Sequence, residues 1–289
     1  MLWIEAIQVE EVIPKEIQAV LDEFPDVFDT PTTLPPRRDC DHKIPLIPGA
    51  QSVNMRPYRH KPELKTEIER QVAELLESGI IQCSTSHFAS PAILVRKKDG
   101  TWRLCVDYQR LNAMTIISKY PVPIIDELLD ELVGARWFSK LDLCAGYHQI
   151  RLAPGEEFKT AFQTHSGHWE YKVMPFGLAG APATFLGAMN MTLSSLLCKC
   201  VIVLFDDILV YSKTLPEHIG HLKSVLELLR RDQWQVKLSK CSFSQQRISY
   251  LGHVIDQHGV SSDPTKIAKV ESWPTPRGAQ FSWARRILP

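Results

Sequence analysis

The sequence lacks the features that mark membrane-spanning, secreted and disulfide-stabilised proteins. No apolar run approaches the roughly 18 uncharged residues that a transmembrane helix needs. The first 20 residues hold four glutamates, which argues against a signal peptide. The seven cysteines are odd in number and form no Cys-x-x-Cys motif. We therefore expect reduced thiols in an intracellular setting and no membrane partner.

The sequence also lacks net charge, because 33 basic residues balance 33 acidic ones. The balance is uneven along the chain. Residues 1–30 hold eight acids and one lysine, which leaves residues 31–289 with 32 basic and 25 acidic residues. This modestly cationic body permits contacts with a phosphate backbone without requiring them. At 289 residues and 44% hydrophobic content, the chain can form one large or two modest domains with a real core.

An adjacent acidic pair, Asp206 and Asp207, lies between the apolar runs 201–205 and 208–211. The β-branched and aromatic flanks are typical of strands. A sheet interior does not accept two neighbouring carboxylates without partners, so we predict a tight hairpin with the acids at its tip. Asp142 is the only acid in another β-like run, 137–143. If that strand lies beside the hairpin, three carboxylates could hold divalent cations for phosphoryl chemistry; a solvated turn is the simpler alternative.

The remaining pattern mixes sheet and helix without strict alternation, which indicates the α+β class. We predict helices from Pro62 to a stop at Gly79, from Pro182 onward and over 218–235. We predict strands over 91–95 and 102–106 joined by a hairpin turn at 99–100, and a last strand or hairpin over 249–255. His218 and His221 share one helix face but have no third ligand nearby, so we expect surface histidines and not a zinc site.

Ordered motifs run through the central two thirds of the chain. They include residues 94–103 (LVRKKDGTWR), 141–150 (LDLCAGYHQI), 174–178 (MPFGL), 205–212 (FDDILVYS) and 250–254 (YLGHV). In these motifs the stretch from about residue 91 to 276 resembles the reverse transcriptase domain of gypsy-type long-terminal-repeat retrotransposons.

The resemblance implies a right-hand polymerase fold with fingers and palm subdomains, an antiparallel palm sheet backed by helices, and a largely missing thumb. The implied divisions are an acidic N-terminal extension (1–40), fingers (41–112 and 149–181), palm (113–148 and 182–260, with primer-grip-like strands), and the start of a thumb (261–289). Within the last of these, residues 281–289 resemble an out-of-frame translation of the family sequence.

The resemblance also implies roles for individual residues. Asp142, Asp206 and Asp207 would be the catalytic ligands of two Mg²⁺ ions, with Mn²⁺ as an alternative. Lys97 and Arg103 would grip the incoming triphosphate, Tyr147 would exclude a 2′-hydroxyl, and Phe176 and Gly177 would line the nucleotide pocket. Leu251, Gly252 and His253 would hold the primer end. The implied partners are an RNA or DNA template, a nucleic-acid primer and deoxynucleoside triphosphates.

The predicted function is therefore an RNA-directed DNA polymerase domain that adds deoxynucleotides to a primer 3′-hydroxyl. The sequence departs from the family at two positions, with Leu204 in place of an aromatic residue and Gln109 in place of an arginine. These departures leave open the alternative that the chain is an inactive remnant with at most residual nucleic-acid binding. A two-metal nuclease would explain the acids but not the triphosphate-gripping hairpin. For the family, a cytoplasmic particle or the nucleus is the expected location.

Overall fold

The computed structural model describes residues 13–31, 33–97, 100–118, 120–121, 123–204, 207–257, 259–262 and 273. The predicted catalytic residue Asp206 lies outside the described residues, as does the out-of-frame stretch 281–289. Within the described part, no helix combines the length and the hydropathy that a membrane crossing requires.

Helices and strands follow one another in a mixed order. The helices are α1 (Lys15–Asp22), α2 (Pro62–Glu77), α3 (Gln109–Ala113), α4 (Ile125–Asp130), α5 (Ala181–Thr192) and α6 (Leu215–Arg231). The strands are β1 (Ile81–Cys83), β2 (Ser90–Arg96), β3 (Trp102–Val106), β4 (Trp137–Asp142), β5 (Phe162–Gln163), β6 (His168–Tyr171), β7 (Val201–Leu204), β8 (Asp207–Ser212), β9 (Ser242–Gln245), β10 (Arg247–Tyr250), β11 (His253–Asp256) and β12 (Gly259–Ser262).

Local sequence signals account for the helix ends. Proline occupies the first turn of α2, where its missing N–H costs nothing, and Gly79 takes φ +71° just past the helix end. The predicted start and stop of this helix are confirmed. Helix α6 begins three residues earlier than predicted, because Thr214 and Glu217 form a capping box at its N-terminus.

The strands form three sheets. A five-stranded sheet has the order β1-β6-β5-β2-β3, a four-stranded sheet has the order β7-β8-β4-β9, and β10-β11-β12 form a three-stranded sheet. The predicted hairpin of β2 and β3 is confirmed, and Lys97 N–H donates to Thr101 O over 2.8 Å where the strands separate. The predicted hairpin of β7 and β8 is also confirmed by antiparallel pairing.

The four-stranded sheet separates two clusters of buried side chains. Along β4, Ser139 and Leu141 alternate with Phe138 and Lys140, so these two pairs face opposite sides of the sheet. The Leu141 side belongs to the main core, which includes residues of α5 and α6. On the Phe138 side, a smaller core joins the sheet to α4, β10 and β11.

Residues 13–28, which belong to the acidic leader, pack against α6. Ile17 and Val27 are buried in the main core. Lys223 Nζ lies 2.6 Å from Glu23, and Arg230 donates to the Asp26 carboxylate. Because apolar burial accompanies these ion pairs, this part of the leader belongs to the folded body.

The prediction that His218 lies on the surface is wrong. Its ring is fully buried and forms hydrogen bonds with the hydroxyls of Ser139 (2.7 Å) and Ser212 (2.9 Å). His221 contacts the same Ser212 hydroxyl over 2.8 Å. His218 lies four residues before the buried Leu222, so the apolar spacing of α6 already placed it on the core face. Burial lowers the pKa of His218 to about 4.

Candidate active site

The β4–β8 pairing brings two of the three predicted carboxylates together. Asp142 and Asp207 are directly opposed partners in the antiparallel register, at the end of β4 and the start of β8. Directly opposed residues point to the same face with Cβ atoms about 5 Å apart. The expectation that the Asp142 strand lies beside the hairpin is thus confirmed.

Lysines neutralise both carboxylates. Lys140 Nζ lies 3.0 Å from Asp207 Oδ1, and Lys240 Nζ lies 3.4 Å from Asp142 Oδ2. Sequence reasoning missed both lysines. Lys140 could have been found, because it precedes Asp142 by two residues and so shares its face of the strand. Lys240 comes from a short 3₁₀ turn before β9, where no local pattern shows that it reaches β4.

The donor set fits a hard divalent cation. Both carboxylates are partly exposed, with 26% of the Asp142 side chain and 28% of the Asp207 side chain accessible. Carboxylate oxygens are the ligands that Mg²⁺ and Mn²⁺ prefer, and the paired lysines show that this end of the two inner strands attracts positive charge. In the described part of the chain, these two acids are not joined by a third Asp, Glu, His or Cys in a metal-binding cluster.

A cleft of about 680 Å³ opens beside Asp142 and brings distant segments together. Its lining includes Lys97 and Arg103 from the β2–β3 hairpin and Phe176 from the loop before α5. Lys237 and Lys240 add two further cations. These four cations outnumber the two acids of the lining, Glu74 and Asp142, so the cleft is suited to a polyphosphate that carries its own divalent cations.

Phe176 and His148 line this cleft, and Tyr147 packs behind Phe176 without lining it. The ring of Phe176 lies 4.9 Å from that of Tyr147 and 5.5 Å from that of His148, and the Arg103 guanidinium lies 5.5 Å above it. Burial, together with the charge of Arg103, lowers the pKa of His148 to about 4, so this ring is neutral near pH 7. His148 was not among the predicted site residues, although it follows Tyr147 directly.

The loop that carries Phe176 and Gly177 is held by a side chain that sequence reasoning did not assign. Asn112 Nδ2 donates to Gly177 O over 2.8 Å, and Asn112 Oδ1 accepts from Ala179 N over 2.9 Å. Gly177 has φ +96°, and a Cβ there would lie 3.3 Å from the backbone oxygen of Val106. Both features hold the loop close to the end of β3.

The predicted primer-grip residues occupy the turn between β10 and β11. Leu251 and Gly252 have φ +51° and +80°, which closes a two-residue hairpin. They are not among the residues that line a second cleft of about 570 Å³ beside Asp142, although their neighbours Ser249 and Val254 are. His253 lines a separate cleft against α4.

Comparison with known proteins identifies the family. The family model described as "Reverse transcriptase (RNA-dependent DNA polymerase)" matches residues 95–255. The chain belongs to this family. The reverse transcriptase match contains Asp142 and Asp207 together with Lys97, Arg103 and Phe176 from the large cleft.

Retrotransposon polyproteins are similar in sequence to this reverse transcriptase domain. The Pol polyprotein of transposon 297 of Drosophila melanogaster is 40% identical over 215 residues, which is 73% of this chain and 20% of that protein. The Pol polyprotein of transposon opus, from the same organism, is 34% identical over 266 residues, which is 90% of this chain and 26% of that protein. The Tf2-3 polyprotein of Schizosaccharomyces pombe is 34% identical over 265 residues, which is 91% of this chain and 20% of that protein. The chain thus spans about a fifth to a quarter of these relatives, which are consistent with a gypsy-type element.

Solved reverse transcriptases share the fold. The foamy viral protease-reverse transcriptase in complex with an RNA/DNA hybrid superposes with a TM-score of 0.81 at 22% identity, over 92% of this chain and 36% of that one. The foamy viral protease-reverse transcriptase in complex with double-stranded DNA superposes with a TM-score of 0.83 at 23% identity, over 95% of this chain and 58% of that one. The expected α+β polymerase fold is confirmed.

Proposed function

We propose that this chain is the polymerising part of a retrotransposon RNA-directed DNA polymerase, which adds deoxynucleotides to a primer 3′-hydroxyl. The observation that carries the proposal is the in-register pair of Asp142 and Asp207 beside a cleft lined by four cations. A structural ion-pair network would not need an adjoining open cleft of nucleotide size. By the family resemblance, Asp206 is the third carboxylate.

Reverse transcriptases as a class depend on divalent metal ions, and Asp142, Asp206 and Asp207 would hold two of them here, as Mg²⁺ or Mn²⁺. When bound, such ions would supply charge neutralisation for the triphosphate, the primer hydroxyl and the departing pyrophosphate. The chain's own contribution is rigidity. Six directly opposed residue pairs between β4 and β8 hold the two described carboxylates at one end of these inner strands.

The large cleft supplies the nucleotide site in this proposal. Arg103 presents a planar fork to phosphate oxygens, and Lys97 contributes a point charge from the other side of the hairpin. The Tyr147 ring stands against the sugar, where it blocks a 2′-hydroxyl, and Phe176 and Gly177 form the wall beside it. Leu251, Gly252 and His253 stabilise the primer end through the β10–β11 turn.

The fingers and palm divisions follow from the same proposal. The five-stranded sheet lies within residues 41–112 and 149–181, which we assign to the fingers. The four-stranded sheet with Asp142 and Asp207 lies within 113–148 and 182–260, which we assign to the palm. The foamy viral relatives bind an RNA/DNA hybrid or double-stranded DNA. We therefore propose a template–primer duplex as the partner of this chain.

Primer extension on an RNA template with Mg²⁺ and deoxynucleoside triphosphates tests the proposal. Asp142→Asn keeps the side-chain shape but removes the charge, so we expect extension to fall about 100-fold or more, because a bound metal ion lowers the barrier by several kcal/mol. Asp22→Asn on the exposed face of α1 is the matched control and should extend normally. Absence of extension by the parent chain would indicate an inactive remnant, and template degradation a nuclease.

A further inference from the structure

Lys140 is a conspicuous cation of the site that the proposed chemistry does not use. Its Nζ lies 3.0 Å from Asp207 Oδ1, and 25% of its side chain is exposed. It shares its face of β4 with Asp142 and sits diagonally across the strand pair from Asp207. A lysine in this position competes with any divalent cation for the same carboxylate oxygen.

Lys140 also lines the second cleft, which shares Asp142 and Lys240 with the nucleotide cleft. This cleft of about 570 Å³ lies between β4, β9 and β10. Its described lining holds three cations, Lys140, Lys240 and Arg247, against the single acid Asp142. The polar side chains of Ser242, Gln245 and Ser249 complete the wall. This surplus of positive charge, with hydroxyl and amide donors, matches the phosphate backbone of a nucleic-acid strand.

We propose that Lys140 is a positioning residue that couples cation binding at Asp207 to strand binding in the second cleft. Without a divalent cation, Lys140 is held by Asp207. A divalent cation at Asp207 displaces the ammonium, which remains charged and turns to a phosphate oxygen of the strand. No bond is made or broken in this exchange. The coupling is reciprocal, so a bound strand also strengthens cation binding by the same factor.

The buried tyrosine on β10 is consistent with an exchangeable partner at Asp207. The hydroxyl of Tyr250 is buried and has no hydrogen-bond partner among the described residues. Burial raises the pKa of Tyr250, and the negative charge of Asp207 raises it further, which places the two groups within electrostatic reach.

The inference rests on the proposed function and is tested by binding instead of turnover. Calorimetric titration with Mn²⁺ measures the cation site of the full 289-residue chain. Fluorescence anisotropy of a labelled RNA/DNA hybrid, with and without Mn²⁺ at constant ionic strength, measures the coupling. In the parent chain, we expect Mn²⁺ to raise the hybrid affinity by about 5-fold or more, the lower end of typical allosteric coupling.

Lys140→Met is expected to bind Mn²⁺ more tightly than the parent chain in the absence of the hybrid, because the competing ammonium is gone. The Mn²⁺-dependent gain in hybrid affinity should disappear, and the salt dependence measured with Mn²⁺ should decrease by about 0.9 in log–log slope, the loss of one phosphate contact. Lys140→Arg keeps the charge and should retain coupling. Lys223→Met removes a lysine of α6 from a different ion pair, the one with Glu23, and should match the parent chain.

Two results with the Lys140 variants overturn the inference alone. In the first, Lys140→Met shows the same Mn²⁺ affinity and the same coupling as the control Lys223→Met. In the second, Lys140→Arg loses as much coupling as Lys140→Met does. The proposed function fails separately if the parent chain does not extend a primer while its Mn²⁺ site and coupling persist. If the parent chain shows no Mn²⁺ binding that depends on Asp207, as judged by comparison with Asp207→Asn, then both the inference and the proposed function fail.

Discussion

At the scale of single residues, the Tyr147 ring is held on two sides. Phe176 lies 4.9 Å away on the cleft side, and Phe185 of α5 lies 5.4 Å away on the core side. Both contacts are tilted or edge-on, which are favourable arrangements for aromatic pairs. The ring therefore has little freedom to move, as the proposed exclusion of a 2′-hydroxyl requires.

Tyr147→Ala should lower the preference for deoxynucleotides over ribonucleotides by about 10-fold or more, since a pocket that gains this much space loses its steric discrimination. Tyr147→Phe keeps the ring and should keep the preference. The ratio of kcat/KM values for a deoxynucleotide and its ribonucleotide measures the effect. An unchanged ratio in Tyr147→Ala would remove this tyrosine from the proposed site.

At the scale of elements, the loop before α5 depends on one backbone conformation. Gly177→Ala puts a Cβ at φ +96° and 3.3 Å from Val106 O. Left-handed backbone alone costs an alanine about 1–2 kcal/mol. Gly49 has φ +79° with open space around it, so Gly49→Ala introduces the same backbone strain but no close contact of the new Cβ with a neighbouring atom. We expect both variants to melt earlier but only Gly177→Ala to raise the KM for deoxynucleotides.

Helix α6 is joined to β4 and β8 by hydrogen bonds from the buried His218 ring to the hydroxyls of Ser139 and Ser212. The pKa of His218 is about 4 in the folded chain, below the ordinary value of 6.5. The unfolded chain therefore takes up this proton first, so stability is complete above pH 6.5 and declines as the pH falls toward 4. We expect a loss of about 1–2 kcal/mol from this residue between pH 7 and pH 5.

Urea unfolding at both pH values measures this loss. His218→Gln removes the titrating group, so its pH dependence should be shallower than that of the parent chain, even though its stability at pH 7 is lower. A parallel pH dependence in the two proteins would show that His218 does not titrate on unfolding. His42, also buried with a pKa of about 4, continues to titrate in both.

What the sequence predicts well is what depends on neighbours along the chain. The Pro62–Gly79 helix and the β2–β3 and β7–β8 hairpins follow from local patterns, and the Asp142 strand lies where its β-like run indicates. The ion pair of Lys240 with Asp142 and the clamp of Asn112 on Gly177 join residues 98 and 65 positions apart. Such contacts are set by how sheets and helices pack, and no local period encodes them.

At the scale of the whole molecule, the leader contributes to the folding energy. Ile17 on α1 is completely buried against the main core. Ile17→Ala should lower the free energy of unfolding by about 2–5 kcal/mol, the usual cost of removing a buried isoleucine side chain. Val133→Ala, at a side chain that is 80% exposed, should change it by less than about 0.5 kcal/mol. Equal effects in chemical denaturation would show that the leader is a separate appendage.

The interleaving of the two larger sheets affects how the polypeptide acquires its shape. Strands β1 to β3 pair with β5 and β6, while β4, which comes between them along the chain, joins β7 to β9 in the other sheet. A ribosome must therefore release residue 171 before the first sheet has all its strands, and residue 245 before the second does. Nascent chains will expose unpaired strand edges for much of their synthesis, so we expect slow maturation and a dependence on chaperones.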